Sequence, residues 1–283
     1  MMEPLASKAA SFVPQGPALN GTPAPQLRRL LGRLPAGFWV SVAVLAATLG
    51  LWEVLPPLLG VPAFIFPTLS DTLREMAFLA RTERLVEQTG ITALNVVIGF
   101  VAGSLFGMVI GYVLGLWRAA EVVLSPYLLL FQIAPKVAFA PLFIMWFGYN
   151  MFPKILVTVL MVFFPVAVNV LVAMRGVDAD LLRLATSLNA NKAQIFWKIQ
   201  FRASLPELFA GLRIAATLAV VGVVVGEMVG GNTGLGYLLI FGQGQANTAT
   251  VFAAIINLTL IGVVAYTAVV IVERIVLRWR DPD

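Results

Sequence analysis

From Gln88 to Trp117 the chain runs without a charged side chain, between Glu87 and Arg118. About 20 apolar residues carry a helix across roughly 30 Å of hydrocarbon, so the run predicts a membrane span over about 90–116, tilted to absorb its surplus length. Composition extends the inference to the whole chain. Of the 283 residues 60% are hydrophobic and 12% charged, where soluble domains carry close to one quarter charged residues. The same criterion predicts spans over 37–58, 122–147, 155–174, 207–230 and 250–275. Pro126, Pro135 and Pro141 interrupt the 122–147 segment. The predicted fold class is all-α: a polytopic membrane protein of six transmembrane helices.

The termini read differently. Residues 1–35 begin with a Pro-, Ala-, Ser- and Gly-rich stretch without helical or strand periodicity, as expected of a disordered tail. Arg28, Arg29 and Arg33 come too late for a secretory signal, and the apolar run after them is long enough to be a retained span. Residues 277–283 form a short C-terminal tail.

The chain has 19 Lys and Arg against 14 Asp and Glu. With the N-terminus inside, the cytoplasmic side holds Lys8, Arg28, Arg29, Arg33, Arg118, Arg175, Arg183, Lys192, Lys198, Arg202, Arg213, Arg274, Arg278 and Arg280. Arg74, Arg81, Arg84 and Lys154 fall outside. Basic residues concentrate on the cytoplasmic side of membrane proteins, so both termini are expected there, and the positive charge calls for no nucleic acid. Cys and His are both absent, which removes disulfides, thiolate or imidazole metal sites and histidine bases. No metal site or cofactor is expected on this chain.

Gly99, Gly103, Gly107, Gly111 and Gly115 recur at every fourth position, a row that admits another helix close to the backbone. Gly222, Gly226 and Gly230 repeat the spacing. Three ionisable residues fall inside spans, at Glu53, Lys136 and Glu227. Such charges require a partner or a watery path. Glu53 and Glu227 lie toward span ends, where a carboxylate can reach the interface. Lys136 lies deeper, after Pro135, with Gln132 one turn earlier. Gln132, Lys136 and Glu227 are the candidate lining of a translocation path, with structural pairing as the alternative.

The interval 176–206 is polar and basic between two spans. Asp178 or Asp180 can cap a short helix whose Leu181, Leu184, Ala185 and Leu188 make one apolar stripe. Asn189 can end it in the left-handed conformation. Ile195 and Phe196 open a second amphipathic segment. Such a loop suits either a membrane surface or a groove on a cytosolic partner.

With that spacing the loop resembles the cytoplasmic coupling loop of ABC importer permeases, of the form E-A-A, three residues, G, nine residues, I-x-L-P. Its positions fall on Arg183, Leu184, Ala185, Asn189 and Ile199 to Arg202, so the acid, the glycine and the proline are each replaced. The segments IAPKVAFAPLFIMWFGYN, FFPVAVNVLVAMRGVDADLL and GLRIAATLAVVGVVVGEMVGGNTGLGYLL resemble the nitrate, taurine and alkanesulfonate group, including permeases for thiamine-pyrimidine precursors. The resemblance implies the type I importer permease fold over 36–276, a homodimeric pore in the plasma membrane, an extracytoplasmic solute-binding protein and cytosolic ATPases. On it, Leu181, Arg183, Leu184, Ala185, Leu188, Asn189, Ile195 and Phe196 become the expected ATPase contact.

No G-x-x-x-x-G-K-[ST] loop occurs, so ATP is expected to be bound and hydrolysed by partner subunits, and the chain itself is no enzyme. The resemblance favours a pyrimidine or riboflavin-like heterocycle as cargo, with sulfonate, taurine or nitrate as the alternative. A stand-alone secondary transporter is the competing class, although no half-to-half repeat of the spans is visible.

Overall fold

A computed structural model describes residues 34–82 and 84–279, with side chains from Trp39 onward. The described residues are helical, without a strand. This accords with the solvent expected around them, since lipid offers no partner to a backbone N–H or C=O. The expected N-terminal tail falls mostly on residues 1–33, outside the described residues, as do Arg280 and the end of the C-terminal tail.

Helix α1 covers Leu34–Leu58 and α2 Leu69–Arg81. Helix α3 runs over Arg84–Leu116, α4 over Arg118–Ile133 and α5 over Phe139–Phe147. Helix α6 covers Met151–Arg175 and α7 Ala179–Ser187. Helix α8 is continuous over Lys192–Gly230, with a π-helical stretch at Phe196–Gln200. Helices α9, Leu235–Gly244, and α10, Thr248–Val276, complete the chain. Five helices, α1 from Trp39, α3, α6, α8 and α10, are long and apolar enough to cross a membrane. The α4–α5 pair makes a sixth, bent by 76°. The described residues up to Trp52 and those from Glu53 onward fall in separate units, and α2 to α10 belong to the second.

Of the three prolines expected to interrupt the bent span, Pro135 makes the break. Ala134 before it is extended, at φ −54° and ψ 138°, because the proline ring disfavours the helical region for its predecessor. Pro126 is carried inside α4, and Pro141 sits in the first turn of α5, where no N–H is needed.

The core is a three-helix slab with α6 in the middle. The glycine row of α3 lies against Thr158, Val162, Val166, Val170 and Met174 of α6, so close that a Cβ would collide at each glycine. From the other side Gly211, Gly222 and Gly226 of α8 approach Asn169, Thr158 and Lys154 just as tightly. Val157, Val162, Val166 and Val170 are fully enclosed as a result. Small-residue rows of this kind let dispersion contacts replace the hydrophobic drive that lipid does not supply.

Two ends are distinguished by their contacts. At the loop end Arg175 pairs with Glu121, and the Tyr112 and Ser204 hydroxyls meet at 2.8 Å. At the opposite end Glu75 accepts from Thr250 Oγ1 at 2.7 Å and Asn247 Nδ2 at 3.1 Å, and Gly230 packs on Ile144. Between the ends, Arg213 of α8 donates to Glu273 of α10 at 2.9 Å.

Two side chains, Lys154 and Glu227, depart from their expected places, while Glu53 near its span end gains a partner. Its carboxylate accepts from Ser70 N at 2.9 Å and Ser70 Oγ at 2.6 Å, at the N-terminus of α2, where a negative charge complements the helix dipole. Lys154, expected at an outer boundary, lies inside α6 and is 5% exposed, because the helix begins at Met151 and Gly226 brings α8 down upon it. Glu227, expected at a span end, is 0% exposed: the chain turns back after Gly230 and α9 covers it.

Candidate functional site

The Pro135 break creates the first site. Because α4 stops at Ile133, the Gln132 carbonyl loses its helical partner, and Lys136 Nζ donates to it at 2.7 Å. The same ammonium lies 4.9 Å from the centre of the Phe164 ring, a cation–π contact. Gln132, Lys136 and Phe164 line a cavity of about 390 Å³ with Asn169, Ile214 and Leu218. Asn169 is fixed by donating to the Pro165 carbonyl at 2.8 Å, a bond local to α6. The cavity therefore offers a cation, an aromatic face and two side-chain amides among apolar walls.

Glu227 does not join it. Thr92 Oγ1 lies 2.9 Å from its carboxylate, Gly236 N donates at 2.9 Å and Asn95 Nδ2 at 3.3 Å. Thr92 in turn accepts from Leu235 N at 2.8 Å, and Gln88 accepts from Gly234 N. The carboxylate thus ties the C-terminal end of α8 to the N-terminal ends of α3 and α9. Of the three candidate path residues, Gln132 and Lys136 share a cavity, while Glu227 is a buried tether.

Sequence reasoning does not single out the tether's polar partners, yet a signal for them exists. Gln88, Thr92 and Asn95 are spaced i, i+4 and i+7, and Gly99 continues the same face. One face of α3 is thus polar at its start and glycine-lined beyond.

At the loop end Asp178 caps α7 by accepting from Asp180 N at 2.8 Å. Asn189 takes φ 58°, with Asn189 N bonded to the Thr186 carbonyl and Ala190 N to that of Ala185. This is the paired closure of a left-handed C-terminus. Leu181, Leu184 and Leu188 are exposed by 44%, 56% and 74%. Ala185, expected in the same stripe, is buried. Arg183 is exposed and reaches Asp180 at 3.2 Å, a surface pair of little energetic weight. Ile195 and Phe196 are half-buried. Phe196 packs edge-on against Tyr112, ring centres 5.5 Å apart, because this segment is the first turn of α8 and closes on the end of α3. Trp197 beside it is exposed.

The family model of the binding-protein-dependent transport system inner membrane component matches residues 88–278. The chain belongs to that family. A putative aliphatic sulfonates transport permease protein, SsuC, of Bacillus subtilis (strain 168) is 32% identical over 264 residues, 93% of this chain and 96% of that protein. A formylaminopyrimidine transport permease protein, ThiX, of Halalkalibacterium halodurans is 34% identical over 235 residues, covering 81% and 91%. A riboflavin transport system permease protein, RibX, of Chloroflexus aurantiacus is 34% identical over 230 residues, covering 81% and 85%. The chain is therefore an ABC importer permease with the type I fold, a multi-pass membrane protein of the group that handles small solutes. The solutes in the relatives' names differ in charge and shape, so likeness to them leaves the permease's own cargo to its cavity.

Proposed function

We propose that the permease forms the solute path of an ATP-driven importer, with both termini cytoplasmic and two copies enclosing the pore. The observation that carries this reading is the exposed leucine row of α7. Leu181, Leu184 and Leu188 stand at the loop end uncovered by the described residues, and an apolar row on a short, firmly capped helix suits a groove on a cytosolic ATPase. Closure of the ATPases on ATP draws the two loops together, and the slab of α3, α6 and α8 moves with them. The path then opens toward the end that carries α2 and α9, where a binding protein releases its cargo.

The Lys136 cavity is the candidate station for the solute. The Gln132 and Asn169 amides can read the edges of a small planar ring held among the apolar walls, which suits a small heterocycle. A second reading, a sulfonate, is favoured by the Lys136 ammonium. Gentle detergent extraction followed by affinity capture tests the assignment. Retained ATPase and ATP-dependent uptake by the reconstituted assembly support it; uptake by this chain alone, with no ATPase retained, overturns it. Competition between a pyrimidine and an alkanesulfonate for that uptake decides the cargo.

A further inference from the structure

Lys154 is a buried cation whose hydrogen bonds within the chain are long. An ammonium carries three donors. The hydrogen bonds of Lys154 Nζ go to the carbonyl and hydroxyl oxygens of Thr233, at 3.3 and 3.4 Å, long against the usual 2.9–3.0 Å for N–H···O. Among the described residues no ion pair within 4.0 Å involves it. Glu227 attracts the ammonium across a longer gap, while its own close hydrogen bonds come from Thr92, Asn95 and Gly236. A charge taken out of water is costly without close partners.

Beside this ammonium lies a recess of about 290 Å³, lined by Asn95, Tyr149, Lys154, Asn232 and Thr233 among others, but not by Glu227. It sits at the end opposite the loop, away from the Lys136 cavity, with which it shares no lining residue. Asn95 turns its amide nitrogen to Glu227, and the exposed Asn232 makes no side-chain hydrogen bond among the described residues. The recess therefore gathers an ammonium, two hydroxyls and a free amide in a volume at the lower bound for small-molecule sites. Charge-assisted hydrogen bonds from such donors suit a group with several anionic oxygens.

We propose that the Lys154 recess binds a small oxyanion, of carboxylate or sulfonate size, at a site separate from the Lys136 cavity. The inference concerns this chain's own residues and stands whichever solute the importer carries. Such an anion supplies Lys154 with the close acceptors that Thr233 and Glu227 do not.

Isothermal titration of methanesulfonate, and of inorganic sulfate, into the purified full chain in a chloride buffer tests the site. Binding is expected, and Lys154→Met should weaken it by at least about ten-fold, the loss of one charge-assisted contact. Asn232→Asp sets a negative charge on an exposed rim position that makes no bond the fold needs, and should weaken binding several-fold even if Lys154→Met does not fold. Absence of binding to the natural chain overturns the proposal, as does unchanged affinity in Asn232→Asp. If Lys136→Met abolishes binding while Lys154→Met preserves it, the anion belongs to the other cavity and the proposal equally falls.

Discussion

A Cβ added to Gly222 of α8 would stand 2.7 Å from the Thr158 Cα of α6. At that separation the obstacle is backbone, which cannot rotate aside, so Gly222→Val must push the two helices apart. Overpacking of this kind costs about 1–3 kcal/mol. Thermal unfolding of the purified permease should show a lowered midpoint for Gly222→Val and almost no change for Gly90→Ala, where an added Cβ meets nothing within 4 Å. Equal midpoints would remove the glycine rows from the packing account.

Gly234 presents a different restriction. Its φ of 101° is strained for any side chain, and an added Cβ would run into the Glu227 carboxylate. Gly234→Ala is expected to cost at least about 1–3 kcal/mol and to loosen the turn that leads into α9. Amide exchange across 231–247 should accelerate while exchange in α6 stays slow. Glu227→Gln places an NH₂ among the donors Thr92, Asn95 and Gly236, so it should loosen the same segment despite its similar shape.

The exposed α7 row and the inward Phe196 should separate cleanly by mutation. Leu184→Asp alters a side chain 56% exposed, so the variant should insert and unfold like the natural protein, yet lose about ten-fold or more of its ATP-driven uptake with ATP hydrolysis left uncoupled. Phe196→Ala instead removes a ring packed on Tyr112 and should lower stability by about 2 kcal/mol, below the range for fully buried aromatics. Normal uptake by Leu184→Asp in proteoliposomes would take α7 out of the coupling.

Lys136 is half-buried and bound to one carbonyl and one ring, so Lys136→Met should fold. A role in holding solute predicts a KM for uptake raised by about ten-fold, the equivalent of one charge-assisted bond, with Lys136→Arg closer to the natural value. A change in the unfolding midpoint with KM untouched would make the residue a helix-end cap and nothing more.

What sequence could convey here divides by range. The left-handed Asn189 and the Asp178 cap depend on a few neighbouring residues, and local chemistry is enough to read them. The glycine row of α3 is a periodic signal, also legible, although its partner α6 is not named by the period. Glu227 shows the opposite case. Hydropathy places it near the end of a span, and only the reversal through Gly231–Gly234, which lays α9 over it, makes it buried. Lys154 escapes hydropathy for a related reason: an ammonium marks a boundary on that scale, whereas Gly226 decides that it lies against a second helix. Phe196 has the periodicity of a docking residue, and no local rule says that its groove is the end of α3 in the same chain.

Helix α8 runs unbroken for 39 residues, about 58 Å at 1.5 Å per residue, nearly twice the thickness of the hydrocarbon layer. Its first residues flank the α7 loop, and Glu227 is three residues from its last. Such a rod is a lever arm whose soft places, the π-helical turn at Phe196–Gln200 and Pro206, both lie near its base. From Pro206 to the Glu227 tether the helix carries no further proline, so a push delivered above that point would reach the far end as displacement, without a solute having to travel between the two.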